Sequence, residues 1–426
     1  MSRLLALLFA ASMAPLLVPP CAAAEPVCGD LPPGAGDANA VLGLELSGPE
    51  AQALFAQLRE LLLARIGADR LSDTELYLGA MQGMIAVANH RMMEDASPRA
   101  AGLPPPGMLL LDDEARRLAE GLDGMLTGLG IEFQLYGEVG VIAVSRVLPG
   151  SPAERVGLLP GDQIVSLDGR PFAGADLQTV ISMLQGGLGS RVTLDVLRGQ
   201  GLGAARYRVV LERQAFAVRS VGEELRPNGV GYIQVFQFHR GTPLEVEESL
   251  GRLKQMGADR YLLDLRNNPG GDLKAAAAVA DLFLPRETVL MRTVEPGLGE
   301  RDLLASRDPV ITESVAVLVN GWTLGAAEAV AAALQEHGRA YVIGEPTMGV
   351  GRTQTLVALG HGLTLRLDSV WLQSPTGRSW QGQGVLPDLP IWGSRQEGPD
   401  SAGAGLTDPQ FETAVHYLET AADGAR

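Results

Sequence analysis

Lysine is nearly absent: in 426 residues only Lys254 and Lys274 occur, and every other base is arginine. Chemistry that needs a primary amine therefore has two candidates. Cysteine is as rare. Cys21 and Cys28 cannot build a disulfide framework, and no Cys/His set stands at metal-ligand spacing, so neither a metal nor a cofactor is implied. Bases are also short as a class, 34 against 50 acids, for a formal charge of −16. That balance excludes the net basic face of a general nucleic-acid binder. Disorder is excluded too, because 46% of residues are hydrophobic and 20% charged. The length suffices for two or three domains.

The N-terminus has one positive charge at Arg3, an apolar stretch from Leu4 to Val18, and the small residues Ala22-Ala23-Ala24 before Glu25. This is the grammar of a secretory signal over 1–24, too short for a spanning helix. Pro20 argues against a lipid anchor on Cys21. The expectation is an exported, periplasmic protein with no transmembrane span once cleaved after Ala24.

Residues 25–122 read as a loose Gly/Pro/Ala leader followed by helices. Leu54, Leu58, Leu61, Leu62 and Ile66 recur at helical spacing, as do Leu76, Ala80, Met84 and Val87. Asp73 is expected to cap the second run. His90, Met92 and Met93 read as packing or surface residues. Between 123 and 216 short strand signals alternate with turns: Val139–Val147, Gln163–Leu167 with the turn Asp168-Gly169, a helix over Leu177–Leu184, and a strand over Arg191–Leu197. From 217 to 394 strands and helices alternate, predicting an α/β core with much parallel sheet. Chemistry in such folds sits in the loops that leave strands and open helices, here Arg266–Gly271, Asn320–Gly325 and Gly344–Gly351. Residues 395–426 read as a tail with a short helix.

Two stretches resemble known families. Gly128-Leu129-Gly130-Ile131, with Gly150-Ser-Pro-Ala-Glu-Arg-Val-Gly157 and Pro160-Gly161-Asp162, is similar to a PDZ domain. The resemblance implies that backbone N–H groups at Gly128–Ile131 gather round a peptide's terminal carboxylate. It also implies that the next strand accepts the peptide as an added strand, with Leu177, Ile181 and Leu184 lining an apolar slot. The core resembles the carboxy-terminal processing (tail-specific) proteases, serine peptidases with a Ser/Lys dyad. It shares Asp264-Leu-Arg-Asn-Asn-Pro-Gly-Gly271, Leu318-Val-Asn-Gly321, and Gln381-Gly-Gln-Gly-Val-Leu-Pro-Asp388. The whole is expected to be a multidomain α/β protein: a helical N-terminal region, a β-rich PDZ domain and a protease-like core.

The departures carry the functional expectation. Counted from Asn320 and Glu328, the family's nucleophilic serine is replaced by Gly325, and its lysine, twenty-five residues on, by Val350. Gln354 and the oxyanion donors implied by the resemblance, the N–H groups of Gly271 and Ala326, are retained. Glycine offers no nucleophile and valine no base, and an oxyanion hole alone gives only residual catalysis. The leading expectation is a binder of the C-terminal tails of exported proteins that does not cut them. One alternative is a tail-specific peptidase with relocated residues, Thr323 and Lys274; another is a carrier of small apolar ligands.

Overall fold

The computed structural model describes residues 47–66, 70–94, 96, 98, 100, 103–136, 140–199, 204–393 and 408–424. The expected signal and the leader as far as residue 46 lie outside these. The chain divides into two compact units. The smaller holds helices α1 (Gly48–Ile66) and α2 (Asp73–Met93). Ser72, rather than Asp73, caps α2. Its hydroxyl accepts from the Glu75 N–H at 3.2 Å, and the Glu75 carboxylate accepts from the Ser72 N–H at 2.7 Å. Asp73 is thereby the first helical residue, and it binds Arg59 of α1 instead.

Strand β1 (Gly107–Leu111) begins in the smaller unit and ends in the larger, where it runs into α3 (Asp112–Leu122), followed by β2 (Met125–Gly128). The module then comprises β3 (Ile131–Tyr136), β4 (Val141–Val147), the one-turn helix α4 (Pro152–Arg155), β5 (Gln163–Leu167) and β6 (Arg170–Pro171). It closes with α5 (Leu177–Leu184), β7 (Arg191–Arg198), β8 (Ala205–Glu212) and β9 (Gln214–Ala217). Its antiparallel sheet has the order β3-β4-β5-β7-β8, which leaves β3 at an edge. Phe133, Ile142, Ile164, Phe172, Val180 and Leu194 fill its core. The chain enters and leaves through a separate two-stranded ribbon, β2 with β9.

The core follows with β10 (Val221–Leu225), β11 (Val230–Val235), α6 (Thr242–Gln255), β12 (Arg260–Asp264) and α7 (Leu273–Asp281). Next come β13 (Val289–Glu295), β14 (Gly299–Leu304), β15 (Ser314–Val319), α8 (Ala326–Glu336) and β16 (Ala340–Gly344). The last elements are β17 (Arg352–Gly360), β18 (Leu363–Gln373), β19 (Leu389–Pro390) and α9 (Pro409–Gly424). β10-β11-β12-β15-β16-β19 form one sheet, parallel from β11 onward. Its strands are continuous apolar runs because both faces are covered. Tyr261, Leu263, Val315 and Val317 pack beneath α6, α7 and α8, while the alternate residues Leu262, Ala316 and Leu318 meet Ala414 and Leu418 of α9. The helix expected to be a short tail is thus a 16-residue cover for half the sheet. β13, β14, β17 and β18 belong to a second, antiparallel sheet that alternation alone did not signal.

Candidate functional site

Three loops leave the carboxyl ends of adjacent parallel strands and converge, as the topology requires. After β12, Asp264 and Asp408 hold the Arg266 guanidinium at 2.7 and 2.9 Å, which fixes the start of the first loop. Asn320, after β15, accepts from the Asn267 N–H and donates its amide to the Asn267 side chain, both at 3.0 Å. The Leu324 N–H donates to the Asn268 carbonyl at 3.1 Å. These bonds bring the two loops so close that a Cβ on Gly270 would lie 2.9 Å from the Leu324 oxygen. Gly271, at φ +122°, is held by Phe238, whose oxygen a Cβ would approach to 2.1 Å. Both glycines are thus required by space as well as by conformation.

Gly325 lies at the tip of the second loop, where strand turns into helix, with φ +59° and ψ −119°. An L side chain rarely adopts this backbone, and where one does, the strain belongs to a functional elbow. Space is not the constraint. The nearest atom to a Cβ there is the Arg352 oxygen, 4.0 Å away.

One side chain ties this elbow to the third loop. Glu328, fully buried, accepts N–H bonds from Gly325 and Val350 on Oε2, both at 2.8 Å. On Oε1 it accepts from the Gly349 N–H at 2.7 Å and from the Thr347 hydroxyl. Burial pushes its carboxyl up to about 7, and these four donors hold it from rising further. The sequence used Glu328 only as a landmark. Its one local signal was a lone acid in the buried run Ala326-Ala-Glu-Ala-Val-Ala-Ala-Ala-Leu334.

Positions 325 and 350 are therefore brought together. Ala326 follows the elbow directly, Gly270 packs against the elbow backbone with Gly271 next along the chain, and Gln354 is exposed on β17 at an irregularity of the ladder with β18. The two candidate substitutes stand in different settings. Thr323 is fully buried, its hydroxyl donating to the Leu265 carbonyl at 2.8 Å and accepting from the Asn320 N–H at 3.0 Å. Lys274 is exposed on α7. Thr323 is a strut between two loops, and a Thr323/Lys274 dyad has no basis in this arrangement. His239 is a packing residue, with Nε2 at 3.1 Å from the Val218 carbonyl and Nδ1 accepting from the Gly241 N–H. It fills the space beside Gly124, at the foot of the ribbon.

In the module, the two glycines of the expected carboxylate loop differ. Gly130 has φ +80°, and a Cβ on it would collide with Ser151 at 2.0 Å, whereas Gly128 is an ordinary member of the β2–β9 ladder with open space beside it. Leu129 is buried. Ile131 on β3 and Leu177 and Ile181 on α5 are half-buried and pack against the module's core. Leu184, expected in the slot, belongs to the module's core. Among the described residues no group of His, Cys, Asp and Glu could hold a metal ion, and no helix is long and apolar enough to cross a membrane.

A strand-to-helix elbow packed against a double-glycine loop, in a chain that also carries a PDZ-like module, defines the class: a protein built on the frame of a serine peptidase. Residues 229–391 match peptidase family S41, and residues 143–198 match the PDZ domain. The chain is 35% identical over 318 residues to a carboxyl-terminal-processing protease of Picosynechococcus, covering 74% of this chain and 75% of that one. It is 32% identical to the corresponding protease of Synechocystis, over 73% of this chain and 72% of the relative. The solved photosystem II D1 C-terminal processing protease is 28% identical, with a TM-score of 0.46 over 79% of this chain and 86% of that one. The chain belongs to the carboxyl-terminal-processing protease family.

Proposed function

We propose that this protein binds the C-termini of exported polypeptides through its PDZ domain and does not cleave them. The observation that carries the reading is Gly325. The elbow is held in its strained form by Glu328, yet the residue at its tip has no side chain, and the base position is Val350. A peptide carbonyl meets neither an attacking atom nor a proton acceptor there. The burial of Thr323 adds support, since no neighbouring hydroxyl takes over. The binding half of the reading rests on β3, a sheet edge, and on the half-buried Ile131, Leu177 and Ile181, which pack against the same core. An incoming tail adds a strand and places an apolar last residue against α5. Export rests on residues 1–24, with cleavage after Ala24, and puts the protein and its partners in the periplasm.

The test is fluorescence anisotropy with one apolar tail peptide as free acid and as C-terminal amide, while the peptide's integrity is followed by mass spectrometry. The free acid is expected to bind and stay intact, and the amide to bind at least about tenfold more weakly, because it cannot make charge-assisted hydrogen bonds. Cleavage, or equal affinity for both forms, contradicts the corresponding half of the proposal.

A further inference from the structure

We infer that Glu132 makes the tail-binding edge selective for a basic side chain, arginine or lysine, one position before the last residue of the tail. The inference rests on the tail-binding reading above and adds the chemistry of the sequence that is bound. Side chains alternate along β3. Ile131, Phe133 and Leu135 pack with the module's core, and Glu132, Gln134 and Tyr136 form the other row. Such a row is ordinarily solvated, and Tyr136 is 46% exposed. Glu132 is only 7% exposed, although β3 is a sheet edge.

Its compensation is thin. Arg146, opposite it on β4, donates from Nη1 to Oε1 at 3.4 Å, and Oε2 carries no hydrogen bond among the described residues. The Arg146 side chain is itself 52% exposed. Burial therefore raises the Glu132 carboxyl above its ordinary value, and Arg146 offsets only part of the rise. The module's other buried carboxylates are better matched, since Asp162 and Asp195 hold a guanidinium nitrogen at 2.7 and 2.8 Å.

Strand geometry supplies the missing partner. A tail whose carboxylate reaches the N–H groups at Gly128–Ile131 ends where β3 begins, so it runs antiparallel to that strand. Its last side chain turns toward α5, and alternation turns the one before it to the other face, the row of Glu132. Residues directly opposite across a strand pair have Cβ atoms about 4.5–5.5 Å apart, which a lysine or arginine spans. The carboxylate then lies between two cations, one from the tail and one from Arg146. These cations are two strand spacings apart, about 10 Å, so salt screens most of their repulsion. An acidic side chain at the same place meets a buried charge of its own sign.

Fluorescence anisotropy with three free-acid tail peptides tests this, the peptides being identical except for arginine, glutamine or glutamate at the penultimate position. The arginine tail is expected to bind about fivefold more tightly than the glutamine tail, and the glutamate tail about fivefold more weakly. Glu132→Gln should bring all three within about twofold. The exchanged pair, Glu132→Arg with Arg146→Glu, should reverse the order, and if it fails to fold, Glu132→Gln decides alone. Affinities are compared between tails within each protein, so a general loss of binding cancels. Equal binding of the three tails by the unaltered protein overturns the inference and leaves tail binding standing. So does a preference for the arginine tail that survives Glu132→Gln. If none of the tails binds, the tail-binding reading fails and takes the inference with it.

Discussion

Gly325 and Val350 donate their backbone N–H groups to the same oxygen, Oε2 of Glu328, at the same distance of 2.8 Å. Two positions twenty-five residues apart are thus clamped by one buried carboxylate, although neither carries a reactive side chain. The frame of the site is separable from its chemistry.

Restoring a side chain at the elbow should be tolerated at a cost. Gly325→Ser meets no clash but imposes an L residue on φ +59°, so a loss of about 1–3 kcal/mol is expected in urea unfolding. Unchanged stability would mean that the elbow relaxes once it has a Cβ.

Gly325→Ser combined with Val350→Lys should gain slow hydrolysis of an unstructured, apolar-tailed peptide, read with a quenched fluorescent substrate. Both positions are already clamped by Glu328, and Gly270 and Ala326 adjoin the nucleophile position. The rate should stay orders of magnitude below a working protease, because the side chains that would orient the lysine have not been restored with it. A folded double variant with no hydrolysis would show that the orienting shell, and not the dyad alone, is gone.

Stability should fall as pH rises from about 6 to 7. Glu328 ordinarily titrates at 4.5 and is pushed up to about 7 by burial, so between those values the folded chain keeps a proton that the unfolded chain has lost. Asp368, pushed up to about 6 by burial, adds the same sign below pH 6, and Asp195, pulled down to about 2 by Arg208, acts only below 3.8. Glu132, also raised by burial, acts with the same sign, so the contribution of Glu328 is read from its own variant. Glu328→Gln should flatten the dependence of Tm on pH there. Above pH 7, where the carboxyl is ionised, it should also lower stability by about 1–3 kcal/mol, since the amide nitrogen cannot accept the N–H groups that the carboxylate accepts.

Thr323→Val should destabilise the protein by about 1–3 kcal/mol, because it leaves the Leu265 carbonyl and the Asn320 N–H without their buried partner. Lys274→Ala, on an exposed position, should change stability by less than about 0.5 kcal/mol. Denaturant titration of both variants checks this; the reverse order would reinstate a functional Lys274.

Legibility from sequence followed the range of the interactions. The helix Leu177–Leu184 and the strand Gln163–Leu167 lie where local periodicity put them. At α2 two adjacent residues could cap, and the glutamate three positions on selected Ser72 over Asp73. Leu184 has the same spacing as Ile181, and only the sheet packed against it decides which is core. The bond from Thr323 to Leu265, and those from Gly349 and Val350 to Glu328, join residues more than twenty positions apart, so no local pattern announces them. Gly325 was legible because its meaning is a missing atom.

The sheet's second face is closed by Ala414 and Leu418 of α9, a segment synthesised after every strand it covers. Until that helix emerges, Val230, Leu262, Ala316, Leu318 and Ile343 lack the cover of Ala414 and Leu418, and Arg266 lacks Asp408, one of its two carboxylate partners. Closure of the core is therefore a late event in the life of each chain, and a ribosome that stalls short of Pro409 leaves an apolar sheet open to chaperones and to its neighbours.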